Sequence, residues 1–161
     1  MIAICPGSFD PVTEGHLDII HRAADSFDEI VIAVMINRRK QAMFSPEERV
    51  AMLKTVTSDL TNVSVVTSDK LLADFARETG INVVVKGLRA VSDFEHEFQM
   101  ALINKKMNPR LDTHFLMAKE QYMYLSSSAV KEIAAFGGDI SDFIPAAILE
   151  EVRRRMVKAM A

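Results

Sequence analysis

At 161 residues, with 49% hydrophobic and 25% charged side chains, the chain fits one domain spanning residues 1–161 and is too apolar for disorder. With 19 Lys and Arg against 22 Asp and Glu, the formal charge is -3, which argues against a general nucleic-acid binder, because neutralising many phosphates needs a basic surplus. The lone Cys5 excludes an intramolecular disulfide, no apolar run approaches the ~20 residues of a transmembrane helix, and no basic or long apolar leader opens the sequence, so a cytoplasmic protein without membrane or nucleic-acid partners is expected.

Residues 2–5 form a short apolar run closed by Pro6-Gly7, and residues 29–36 and 82–85 carry the Val and Ile enrichment of strands buried on both faces. Residues 63–67 and 114–117 are weaker runs of the same kind, making five strands with room for a helix between successive members. Leu17, Ile20 and Ala24 share one face of a helix after the first strand. Ser45-Pro46-Glu47-Glu48 is a capping box with proline at the first helical position, so a second helix starts there and turns Val50, Leu53 and Val56 or Thr57 inward. A third, over residues 70–79, has Leu72, Phe75 and Ala76 on one side and stops at Gly80. Residues 93–106 read as a fourth helix, 127–136 as a fifth ending at Gly137-Gly138, and 145–160 as a C-terminal helix. Strict alternation of strand and helix predicts an α/β fold: a doubly wound, Rossmann-like, five-stranded parallel sheet with right-handed crossovers. In the common order 3-2-1-4-5 the switch point falls between strands one and four, and the loops starting at Pro6 and Lys86 border the ligand crevice.

The unusual chemistry is concentrated at those strand ends. Pro6-Gly7-Ser8-Phe9-Asp10-Pro11 runs on to Thr13-Glu14-Gly15-His16, a strand-to-helix turn whose N–H groups suit phosphate, with His16 in the first helical turn where it can donate to an anion. The pattern is neither G-x-G-x-x-G nor a Walker loop. Asn37-Arg38-Arg39-Lys40 follows strand two, Lys86-Gly87-Leu88-Arg89 follows strand four, and Asp93, Glu95 and Glu97 open the next helix. Ser126-Ser127-Ser128 offers hydroxyls after strand five. Lys40, Lys86 and Arg89 thus converge on one edge of a chain of negative net charge, which points to a small polyanionic ligand.

Five elements carry a family resemblance: Pro-Gly-Ser-Phe-Asp-Pro with Thr-x-Gly-His at residues 6–16, Lys40 ahead of Met43-Phe44, Lys86-Gly87-Leu88-Arg89, Asp93-Phe94-Glu95-x-Glu97, and Ser126-Ser127-Ser128. In this order, and over nearly the whole chain, they resemble the phosphopantetheine adenylyltransferases, nucleotidyltransferases of coenzyme A biosynthesis. The wider superfamily usually writes the first motif His-x-Gly-His. Thr13 takes the first histidine's place here, a variant associated with the phosphopantetheine branch. The resemblance implies that ATP is contacted by Ser8, Phe9, His16, Gly87, Leu88, Arg89 and Glu97. A loop of Tyr122, Met123, Tyr124, Leu125, Ser126, Ser127 and Ser128 would close over adenine and phosphates. It implies too that 4′-phosphopantetheine is held by Ser8, Lys40, Leu72 and Lys86, with Leu72 acting through its backbone.

The implied reaction is attack of the 4′-phosphate on the α-phosphorus of ATP, giving dephospho-coenzyme A and pyrophosphate without a covalent enzyme intermediate. A phosphate monoester is largely dianionic at neutral pH and needs no general base. The enzyme's task is alignment and stabilisation of charge on the α-phosphoryl oxygens, for which the resemblance implies His16 and Lys40, with Mg²⁺ accompanying ATP and no protein metal ligand assigned. A homohexamer, with coenzyme A as a candidate feedback ligand, is implied as well. Phe94, Phe98, Met100 and Leu102 spread apolar surface around more of the fourth helix than one core-facing stripe requires. Two other readings stay open: a sister nucleotidyltransferase acting on nicotinamide mononucleotide or making a CDP-alcohol, and a non-catalytic nucleotide-binding module. Thr13 and the serine triplet argue against the first, and the pairing of Lys40 with His16 against the second.

Overall fold

A computed structural model describes residues 1–37 and 41–160, apart from the side chains of Ser92 and residues 158–160; Lys40, with Arg38 and Arg39, lies outside the described residues. Five strands, β1 (Ile2–Gly7), β2 (Glu29–Met35), β3 (Val63–Ser68), β4 (Val83–Leu88) and β5 (Asp112–Met117), form one parallel sheet in the predicted order β3-β2-β1-β4-β5. The helices are α1 (Glu14–Ser26), α2 (Pro46–Val56), α3 (Leu72–Thr79), α4 (Val91–Met107), α5 (Ser127–Ala135) and α6 (Leu149–Met160).

Both sheet faces are apolar because successive strand residues point to opposite sides and each side has helices to cover it. Ala3, Cys5, Ile30 and Ile32 pack with α1, α2, α5 and α6. Ile4, Ala33 and Val84 pack with Phe75 and Ala76 of α3. Among the described residues no buried side-chain nitrogen or oxygen lacks a hydrogen-bond partner.

Several element boundaries differ from the sequence expectation. β1 runs two residues further because Pro6 and Gly7 still pair with Ala33 and Val34 of β2. On its other side, among the described residues, the register with β4 holds only Ile4 opposite Val84. The ladder therefore lapses toward the carboxyl ends and leaves the crevice of a switch point. Helix α4 starts at Val91 rather than residue 93. In place of a helix from residue 145, Ala146–Ile148 form a 3-10 turn in which the Ile148 N–H donates to the Pro145 carbonyl at 3.0 Å, and α6 begins at Leu149. Helix α3 stops where expected: Gly80 sits at φ 73, a left-handed backbone that a residue without Cβ takes freely. Helix α2 opens on the predicted box, Ser45 Oγ accepting from the Glu48 N–H at 3.2 Å and Glu48 accepting from the Ser45 N–H at 2.8 Å.

Candidate active site

β1 delivers the chain into the turn that precedes α1. A Cβ on Gly7 would stand 2.9 Å from Cε2 and Cζ of Phe9, so the ring can fold back there only against glycine. Phe9 itself has φ 48, a conformation bulky residues rarely take and one that active-site turns often hold. Its buried ring meets the His16 imidazole edge-on, with centroids 5.1 Å apart. Thr13 caps α1: its hydroxyl accepts from the His16 N–H at 3.3 Å, and His16 Nδ1 accepts from the Thr13 backbone N–H at 3.1 Å. Histidine thus stands where Glu or Gln completes an ordinary capping box. Because Nδ1 is the acceptor, the neutral ring carries its proton on Nε2. Burial first, then the Arg89 and Lys86 charges, push the imidazole pKa down to about 4. At neutral pH His16 is an uncharged N–H donor at a helix N-terminus.

Two adjoining cavities, of about 400 and about 970 Å³, open at the carboxyl ends of the strands. Pro6, Gly7, Ser8, Lys86, Glu97 and Ser127 line both. The smaller is completed by Phe9, His16, Gly87 and Arg89 with Tyr122, Leu125 and Ser126. Its cations are held in place: Lys86 Nζ lies 3.3 Å from the Glu97 carboxylate. Arg89 forks onto Asp93 through Nε at 2.8 Å and Nη2 at 3.2 Å, and donates Nη1 to the Leu125 carbonyl at 2.9 Å. That last bond tethers the loop before α5 to the end of β4. Ser126 caps α5 by accepting from the Ala129 N–H at 3.0 Å, while the Ser127 hydroxyl donates to the Pro11 carbonyl at 2.7 Å, bringing α5 onto the first turn.

The larger cavity takes Leu72 from the start of α3, Ser128 from α5, and Asp10, Arg49 and Lys131. Burial works against an ionised Asp10, yet the N–H groups of Met43 and Phe44 and the Lys131 ammonium outweigh it and hold the carboxyl below its ordinary value. Asp10, Arg49, Asp93 and Lys131 are site residues that sequence reasoning left without a role. Arg49 had a legible signal, since it falls on the α2 face that buries Met52, Leu53 and Val56, and an arginine there needs buried partners. Lys131 lies one turn after Ser127 on α5.

Three expected ATP contacts are not placed by their side chains. Leu88 is buried at 4%, while Met123 and Tyr124 are 45% and 67% exposed, and none lines either cavity. A strand-end leucine turns its side chain into the core and leaves its backbone at the rim, and the 3-10 turn over Glu120–Tyr122 directs only Tyr122 inward. Lys40 lies outside the described residues. Among those residues no three His, Cys, Asp or Glu side chains converge for a metal, and Asp10, Asp93 and Glu97 are each paired with a cation.

Residues 4–133 match the model of the cytidylyltransferase-like family. A phosphopantetheine adenylyltransferase of Rubrobacter xylanophilus is 58% identical over 95% of this chain and 93% of its own. Those of Caldanaerobacter subterraneus subsp. tengcongensis and Clostridium tetani are 52% and 51% identical, over 98% and 96% of this chain and 99% and 96% of theirs. A solved Vibrio parahaemolyticus structure, provisionally named nicotinate-nucleotide adenylyltransferase, superposes with a TM-score of 0.64 at 20% identity, covering 96% of this chain and 94% of that one, which shows a shared fold.

Proposed function

Since the chain belongs to the phosphopantetheine adenylyltransferases, within the cytidylyltransferase-like family, we propose that its two cavities hold the two substrates of one reaction, ATP in the smaller and 4′-phosphopantetheine in the larger. The enzyme transfers AMP from ATP to 4′-phosphopantetheine, giving dephospho-coenzyme A and pyrophosphate. The observation that carries the placement is the shared rim. Gly7, Ser8, Lys86 and Ser127 border both spaces, so phosphates entering from either side meet there.

In this reading an oxygen of the acceptor phosphate forms the new bond to the α-phosphorus as the bond to the pyrophosphate bridging oxygen breaks. His16 Nε2–H donates to an α-phosphoryl oxygen whose charge grows in the transition state. The neutral ring suits this role, because it donates without the desolvation cost of a buried imidazolium. Lys86 exchanges Glu97 for the acceptor phosphate, as a point charge rather than a fork. Arg89 stays on Asp93 and holds the Leu125 loop over the nucleotide, its remaining N–H capacity turned to the outer phosphates. Leu72 serves the pantetheine arm from the backbone. Lys40 joins His16 as the family resemblance implies. Mg²⁺ would accompany ATP as its counterion, neutralising phosphate charge.

A pyrophosphate-release assay with ATP and phosphopantetheine tests the reading, and a sister activity or a non-catalytic module would give no release with this pair. His16→Ala should lower kcat at least about tenfold while ATP affinity stays within about tenfold; a variant keeping more than a tenth of wild-type kcat would sink the donor role. Coenzyme A, sharing the pantetheine arm, would compete for the larger cavity. We place the enzyme in the cytoplasm, where ATP is supplied; among the described residues no helix is long and apolar enough to cross a membrane. Phe98 and Leu102 of α4 are 47% and 55% exposed, surface that a homohexamer would cover. Light scattering should give a mass well above the 18.0 kDa of one chain.

A further inference from the structure

The Ser8–Asp10 turn and the segment running into α2 are joined by two buried, oppositely charged side chains that reach across the same seam in opposite directions. Asp10, 6% exposed, accepts from the Met43 N–H through Oδ2 and from the Phe44 N–H through Oδ1, both at 2.9 Å. Arg49, 4% exposed, donates Nη1 to the Ser8 carbonyl at 2.8 Å and Nε to the Ser45 carbonyl at 3.4 Å. Lys131 Nζ adds a bond to Asp10 Oδ2 at 3.1 Å, drawing in α5. From the outer side Arg155 donates to the Met43 carbonyl at 3.0 Å and lies over the Phe44 ring at 5.1 Å.

We infer that Asp10 and Arg49 are positioning residues for the transfer, a reciprocal clamp that fixes the wall of the acceptor cleft against the turn facing the nucleotide and so sets the distance between the attacking phosphate and the α-phosphorus. Ser8 belongs to both cavities, while Asp10, Phe44, Ser45 and Arg49 line the larger one, so the seam they bridge runs between the two substrate spaces. Charge is an expensive way to fill a core, and apolar residues of similar volume stabilise as well or better. What charge-assisted bonds to main-chain groups supply instead is a single register between two segments. Register matters here because in-line attack tolerates little error, a displacement of ~1 Å costing on the order of 100-fold in rate.

The inference rests on the adenylyltransferase reading, and its test separates the two. Asp10→Asn keeps shape and removes charge, setting an amide NH₂ against N–H donors; kcat should fall about 100-fold with the KM of each substrate within about threefold, measured on folded protein well below its Tm. Arg49→Lys, which keeps the charge but cannot hold both carbonyls, should lose about tenfold in kcat with the same KM pattern, and it decides the matter alone if Asp10→Asn does not fold. A kcat within threefold of wild type, or a loss that appears in KM instead, overturns the clamp. Amide hydrogen exchange at Met43 and Phe44 reads it without substrate: Asp10→Asn should speed both at least about tenfold, and unchanged exchange would also overturn it. A wild type inert with ATP and phosphopantetheine refutes the proposed reaction, and the exchange result then still decides the clamp.

Discussion

Acidification should destabilise the folded chain through one ring, His16. Its pKa lies at about 4 against an ordinary 6.5, with burial as the main cause and the Arg89 and Lys86 charges adding to it. The folded state resists protonation that the unfolded chain accepts, so the unfolded state binds more protons between those two values and stability rises with pH across that window. The contribution is complete above the unfolded value and shrinks as pH falls toward the folded one. At ~1.36 kcal/mol per pH unit its full size is about 3 kcal/mol, of which about 2 kcal/mol is gone at pH 5. Glutamine is the informative replacement, because at the third helical position it can still reach back to the Thr13 N–H as a capping-box residue while carrying no titrating group. Urea unfolding of wild type and His16→Gln at pH 8 and pH 5 lets other titrations cancel. The stability difference between the two proteins should move by about 2 kcal/mol against wild type at the lower pH. A difference constant to within about 0.5 kcal/mol would refute the desolvated, neutral imidazole and with it the uncharged donor.

Lys86→Ala should raise the KM for phosphopantetheine about tenfold or more and change the KM for ATP less, since Lys86 borders both cavities and in the proposed arrangement would meet the acceptor phosphate as a point charge; equal effects on both substrates in steady-state kinetics would contradict that assignment. Gly87→Ala places a Cβ 2.9 Å from Ile19 Cγ1 and should cost about 1–3 kcal/mol by overpacking α1 against β4, visible as a lower Tm; an unchanged melt would mean that Ile19 yields freely. Ser45→Ala removes the acceptor that holds the Glu48 N–H at 3.2 Å and should cost about 1 kcal/mol in urea unfolding, with no change expected only if that helix end is already satisfied by other groups.

The sheet, its order and the location of the crevice were legible in the chain because they follow from local patterns: Val and Ile runs long enough for a strand, helix starts such as Ser45-Pro46 and stops such as Gly80, and the handedness of crossovers. The first motif was legible as a strand-to-helix turn whose N–H groups suit phosphate, and the chain does open α1 there, capped by Thr13. By contrast, the clamp joins positions distant in sequence, Asp10 to Met43 and Phe44, Arg49 to Ser8, and Lys131 to Asp10. Nothing in an isolated aspartate or lysine shows which backbone it will face. The same holds for His16: its place in α1 is read from neighbouring residues, but its tautomer follows from the Thr13 bond and its lowered pKa from burial beside Arg89 and Lys86. Side-chain direction at the loops was likewise beyond the sequence, which treats Leu88, Met123 and Tyr124 alike with their neighbours, while the folded chain sends the first into the core and the others to solvent. Periodicity and propensity act over a few residues and therefore survive in a linear string; desolvation, ion pairing and hydrogen-bond register depend on distances between segments, and those exist only once the strands have brought the segments together.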